Sequence, residues 1–278
     1  MRLNFKKQIS AIDKELQLIE KQERKLQSTA LKAKSIGWKD GLESKIPVKV
    51  YAGLESAFCK GFSVVFQKGR SIIEKSYKKE KMMIDHAIRD YAVQLKGGRK
   101  ELKQIQKYAN QATTFNMAIT TVEGIALGAL GIGMPDIVLF LSTLLKGIYE
   151  TALNYGFAYE TPGEQLLILQ MMETSLSSGK EWLRLNAEVD KRIMTRAEAD
   201  IEDGYLDKQI KATASAFAVD MLLLKFIQGL PVVGVLGGAA NPVYYHKVMK
   251  YVRLKYRKRY LLNKRIKTDD INNATEAK

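Results

Sequence analysis

Apolar residues recur at steps of three and four along most of the chain. No stretch alternates apolar and polar positions long enough to make a sheet. The pattern predicts an all-α protein, a multi-helix bundle of about eight helices. Ile9, Ile12, Leu16, Ile19, Leu26 and Leu31 mark an amphipathic helix over residues 5–35, broken at Gly37 to Gly41. Ile46-Pro47 opens a second, because the residue before proline resists helix and proline suits the first helical position. Its stripe is Tyr51, Leu54, Phe58, Phe62, Val65 and Ile72, reaching about Ser76. A shorter helix over 80–96 ends before Gly97-Gly98, and residues 99–131 rise from a charged start into a glycine-rich stretch. Thr161-Pro162-Gly163-Glu164 is a capping box that starts a helix running to about Leu176. Residues 180–203 and 207–228 predict two more helices, and Asn241-Pro242 opens the last. From Asp269 on, the polar tail is expected to be disordered.

Two glycine-punctuated apolar segments are expected at the centre. The first carries Glu123, Gly124, Gly128 and Gly131 and folds back at Gly131–Pro135, with Asp136 just inside the next helix. The second follows Asp220 and carries Gly229, Gly234, Gly237 and Gly238. Glycines spaced by four leave a flat face against which another backbone can pack. A membrane-spanning helix needs about 20 apolar residues. Glycine and proline interrupt both segments before that length, so both are expected as buried helical hairpins. Insertion of these hairpins into a bilayer is the alternative. The chain is expected to divide into an N-terminal helix (1–36), a helical domain (37–268) and the tail (269–278).

Charge changes this picture. The 278 residues hold 45 Lys and Arg against 30 Asp and Glu, a net charge of +15. Such an excess favours polyanionic partners. It is concentrated near the C-terminal end, where ten of the 21 residues from Lys247 to Lys267 are basic and none is acidic. At helical spacing Lys247, Lys250, Arg253, Arg257, Lys258 and Lys264 are candidate contacts to an anionic surface. Tyr245, Tyr256 and Tyr260 are candidate interfacial aromatics beside them. A basic, aromatic, amphipathic helix suits anionic membrane lipids, and nucleic acid ranks below them. Glu123, Asp136 and Asp220 sit among apolar neighbours and are candidate buried polar groups. The alternative role of Glu123 and Asp220 is to line an internal ligand or enzymatic site.

Catalytic chemistry finds no motif. No P-loop or dinucleotide fingerprint occurs, and no G-x-S-x-G. Two histidines, His86 and His246, and one cysteine, Cys59, lack zinc-ligand spacing. No cofactor and no metal is therefore expected. A single cysteine excludes an internal disulfide, and the charged N-terminus lacks the apolar run of a signal peptide.

Three landmarks, in order, resemble the EcsC family. They are Ile46-Pro47 before a long helix, the Glu123 to Asp136 element running into Tyr155-Gly156-Phe157, and Gly229-Leu-Pro-Val-Val-Gly234 with Gly237-Gly238 and Asn241. The likeness spans roughly residues 35–265, with Lys146 where the family pattern leads one to expect arginine. The resemblance implies a cytoplasmic, membrane-adjacent protein on the inner face of the cell membrane, beside a transporter or secretion complex. It supplies no catalytic residues.

Overall fold

The computed structural model describes residues 2–34, 48–111, 135–195, 204–227 and 240–276. Among these residues there is no strand. There are ten α-helices: α1 (Arg2–Lys34), α2 (Val48–Val64), α3 (Arg70–Lys75), α4 (Lys79–Lys96), α5 (Arg99–Gln111), α6 (Pro135–Asn154), α7 (Pro162–Leu176), α8 (Gly179–Thr195), α9 (Tyr205–Ile227) and α10 (Ala240–Glu276). A single π turn, Val65–Gly69, joins α2 to α3. The extra residue of a π turn shifts helical register. Here it keeps Val65 and Phe66 in the core with Phe58 and Phe62. Glu123, Gly124, Gly128, Gly131, Gly234, Gly237 and Gly238 lie outside the described residues, and so does the expected packing of the two hairpins.

Helix α6 is the apolar run predicted after Pro135. It is long and apolar enough to cross a membrane by length and composition, yet 72% of that window is buried inside the protein. Helix α7 is apolar on nearly every side, which is the composition of a helix enclosed by others. It packs against α8, α9 and α10, while α9 also crosses α2. Phe217 of α9 is the centre of an aromatic cluster. Its ring stacks on Phe58 at 5.1 Å and meets Phe62 and Phe140 at 5.9 Å each. These contacts join α2, α6 and α9. Gly61 adds to the same junction, since a Cβ there would come within 2.9 Å of Ile137 Cγ2.

Helix ends follow local chemistry. Helix α4 stops at Gly97, whose φ of 58° is left-handed and whose amide bonds to the Val93 carbonyl. Helix α6 stops at Gly156, φ 79°, with the amides of Gly156 and Phe157 returning to Leu153 and Ala152. His86 packs where a Gly156 side chain would stand, and its Nδ1 lies 2.8 Å from the Asn154 carbonyl. Thr161 caps α7 by accepting from the Glu164 amide at 3.2 Å, as the capping box predicts.

Two expectations change. Residues 269–276 continue α10 as helix, and the Arg265–Asp269 pair at 2.9 Å spans the turn where the tail was expected to begin. Helix α1 is an integral layer, packed along α10 and against α8 and α5. Replacing Phe217 with Ala should remove the shared ring of three helices. The expected cost is about 3–5 kcal/mol, read as a lower urea midpoint with an unchanged helical spectrum. A loss below about 1 kcal/mol would mean the cluster is not central.

Candidate functional site

The most basic helix of the chain runs through its interior. Along α10, Tyr244, Tyr245, Val248, Tyr251, Val252, Tyr256, Tyr260 and Leu261 are all buried. Apolar and tyrosine positions recur often enough around the helix that several of its sides meet other helices. Its cations are carried inward with them and must be neutralised.

Five other helices, α1, α4, α7, α8 and α9, supply α10 with carboxylates. Lys255, 0% exposed, lies 2.5 Å from Glu23 of α1 and 2.7 Å from Asp190 of α8. Lys258 reaches the same two acids at 3.0 Å. Glu15 of α1, also buried, takes Arg257 on one side and Arg99 of α5 at 2.6 Å on the other. Arg259 forks onto both oxygens of Glu164 at 2.6 and 2.9 Å, and the Tyr256 hydroxyl donates to Glu164 at 2.7 Å. Thus the carboxylate half of the α7 capping box turns away from its own helix end to hold α10. Asp90 of α4 accepts from Tyr260 at 2.7 Å and Lys264 at 2.5 Å. Burial alone would raise the Asp90 pKa. The bond and charge of Lys264 and the Tyr260 hydroxyl outweigh it, so the carboxyl sits below its ordinary value. Arg265 pairs with Asp13 and Asp269.

The predicted residues therefore separate. Tyr245, Tyr256 and Tyr260 are core residues rather than surface anchors. Arg257 and Lys264 are buried in ion pairs, and Lys258 is mostly enclosed. Lys247 is joined to Asp220, with Nζ 2.8 and 2.9 Å from its two oxygens. So Asp220 is half-buried and neutralised by one of the cations expected to face lipid. Asp136 lies in the first turn of α6. Among the described residues Lys250 and Arg253 have no ion pair, and these two stand apart from the rest.

They border a groove. Three adjoining depressions of about 430, 330 and 630 Å³ run between α5, α10 and α1, each sharing lining residues with the next. Lys103 and Lys107 lie at one end, Lys250, Arg253 and Arg257 in the middle, and Lys25 at the other. Among the described residues no Asp or Glu lines any part of it. Glutamine and asparagine side chains from α1 and α5 complete the walls. Sequence reasoning found Arg253 and Lys250 but not Gln22, Gln106 or Tyr155, which reach the groove from other helices.

A second surface was missed as well. On α4 the inward positions are His86, Arg89, Asp90 and Val93. His86 and Asp90 meet α10, and Arg89 donates to Asn154 at 3.2 Å and stacks on Tyr108 at 4.2 Å. The outward positions Met83, Ile84, Ile88 and Tyr91 are 50–63% exposed. The helix is amphipathic in the opposite sense to a surface helix. The spacing of these four residues was visible, but it reads equally as a core-facing stripe.

Buried carboxylates were also only partly legible. Glu15 and Glu164 are enclosed and Glu150 is half-buried, as is Asp220, while Glu123 and the Asp136 side chain lie outside the described residues. Burial pushes the Glu150 pKa up to about 7, partly offset by Lys146. No group of three or more His, Cys, Asp or Glu among the described residues is placed to hold a metal ion.

The fold is a helical bundle locked by charge around one basic helix, with no strand among the described residues. The model of the EcsC protein family matches residues 10–261. The chain belongs to that family, and the match begins within α1, earlier than the three landmarks suggested. No curated protein and no solved structure matches it.

Two outcomes test these interactions. Glu15→Gln strands Arg257 and should cost about 3–5 kcal/mol, whereas Lys255→Met should cost less, because Lys258 still spans Glu23 and Asp190. Equal losses in chemical denaturation would refute this division of roles. For Glu150 the folded-state pKa is raised, so its contribution is fully present below the ordinary carboxylate value and lost as pH rises toward about 7. Glu150→Gln should therefore be neutral near pH 4 and more stable than the parent by about 3 kcal/mol at pH 8. Parallel stability–pH curves for the two proteins would contradict this.

Proposed function

We propose that this EcsC-family protein docks reversibly, from the cytoplasmic side, on an anionic membrane surface. The observation that carries the reading is the outward apolar stripe of α4. Met83, Ile84, Ile88 and Tyr91 stand exposed on a helix whose opposite face is committed to polar contacts inside the protein. An apolar stripe with basic flanks is the form of a helix that lies in a lipid interface. Lys81 and Lys96 flank the stripe, and α5 continues with exposed Lys100, Lys103 and Lys107, with Glu80 the opposing acid among the exposed residues of α4.

Magnitudes fit reversible attachment. A fully buried apolar side chain contributes about 1.5–3 kcal/mol, and shallow insertion of four gives a fraction of that sum. Each lysine near an anionic leaflet adds about 1 kcal/mol. The total is several kcal/mol, half of it sensitive to salt. The basic C-terminal helix contributes through its exposed Lys250 rather than through its tyrosines. Beside a transporter or secretion complex, such docking would concentrate the protein without anchoring it.

Co-sedimentation with vesicles tests this. The parent should bind phosphatidylglycerol-containing vesicles, bind neutral phosphatidylcholine vesicles weakly, and release at high salt. Ile84→Gln with Ile88→Gln should weaken binding at least tenfold without lowering the melting temperature, since both side chains are exposed. Unchanged binding by the double variant, or equal affinity for both vesicle types, removes the proposal. Full displacement by a DNA oligonucleotide would instead assign the basic surface to nucleic acid.

A further inference from the structure

The middle of the groove has the features of a discrete ligand site. Its volume of about 330 Å³ falls at the small end of the range for small-molecule pockets, about 300–1,000 Å³. Arg253 and Lys250 line it, and neither has an ion pair among the described residues. Arg257 also lines it, but its charge is committed to Glu15. The Arg253 Nε is buried and has no hydrogen-bond partner among the described residues. Every cation from Lys255 to Arg265 on α10 meets a carboxylate, whereas Lys250 and Arg253 meet none among the described residues. The guanidinium as a whole is unanswered by any carboxylate among the described residues, and an oxyanion bound in the cleft supplies the missing countercharge.

We propose that the cleft between α1, α5 and α10 binds a phosphate monoester, with Arg253 as its principal donor. Two uncommitted cations match a group carrying about −1.5 to −2 at neutral pH. A carboxylate or a sulfate ester, with one charge, leaves one of them uncompensated. The guanidinium fork donates to two phosphate oxygens side by side. Gln22 and Gln106 offer amide donors from the opposite walls, and no carboxylate among the described residues lines the cleft. The same chemistry is presented by a soluble phosphorylated metabolite and by a lipid with a terminal phosphate.

Titration calorimetry on the full chain tests the site with glycerol 3-phosphate and inorganic phosphate. Vesicles containing phosphatidic acid are compared with phosphatidylglycerol vesicles of equal surface charge. Saturable binding of the soluble probes at one per chain assigns a soluble ligand. Preference for phosphatidic acid without soluble binding assigns a lipid headgroup. In either case Arg253→Met, which keeps the aliphatic stem, should weaken binding at least tenfold. Arg253→Lys should recover only part of the loss. Should the Met variant unfold, Gln106→Leu at the cleft wall replaces it, with a smaller loss expected. Ile84→Gln with Ile88→Gln should leave glycerol 3-phosphate binding unchanged, which separates this site from docking by α4. No saturable binding of any probe, or binding indifferent to both the Arg253 and Gln106 substitutions, overturns the proposal.

Discussion

Charge neutralisation of one helix by its neighbours is the constraint on which the bundle rests. A lysine with no exposed surface is tolerable only when paired with good geometry. Lys255 sits between two acids from different helices, and six other cations of α10 are met by carboxylates elsewhere in the bundle. Such pairs add little net stability compared with apolar packing of the same volume. Their effect is on register, because a shift of α10 by one position would strand several charges at once. The net charge of +15 is left for the exterior once these internal pairs are subtracted.

Helix boundaries and class were legible because caps and breakers act locally. Ile46-Pro47, Gly97, Thr161-Pro162 and Ser177 to Gly179 all mark the ends they predicted to within a few residues. Direction was not legible. The tyrosines of α10 and the isoleucines of α4 follow the same spacing, yet the first set is buried and the second exposed. Periodicity says that two faces differ, not which one the rest of the chain covers. That depends on acids far away in sequence, such as Glu15 and Asp90, whose positions carry no local signature.

The groove illustrates the same limit. Arg253 and Lys250 looked like two members of a uniform basic stripe. They differ from the rest because no carboxylate of α1, α5 or α10 lines the cleft beside them. What makes them available is an absence on neighbouring helices, which one stretch of sequence does not express. Arg89 on α4 also has a buried Nε without a partner among the described residues, but it is bonded to Asn154 and stacked on Tyr108.

The position of α10 in the chain has a kinetic consequence. It follows every helix it neutralises, and its pairs with Glu15 and Glu23 close separations of 242 and 232 residues. Long closures cost entropy before any contact rewards them, and distant contacts slow the search for the native arrangement. Most helical bundles assemble from adjacent hairpins. Here α1, α4, α7 and α8 hold acids whose α10 partners come later in the chain, with Glu15 also held by Arg99 of α5. Consolidation of these layers therefore waits on α10, and until it docks Glu23, Asp190 and Glu164 lack the cations that neutralise them.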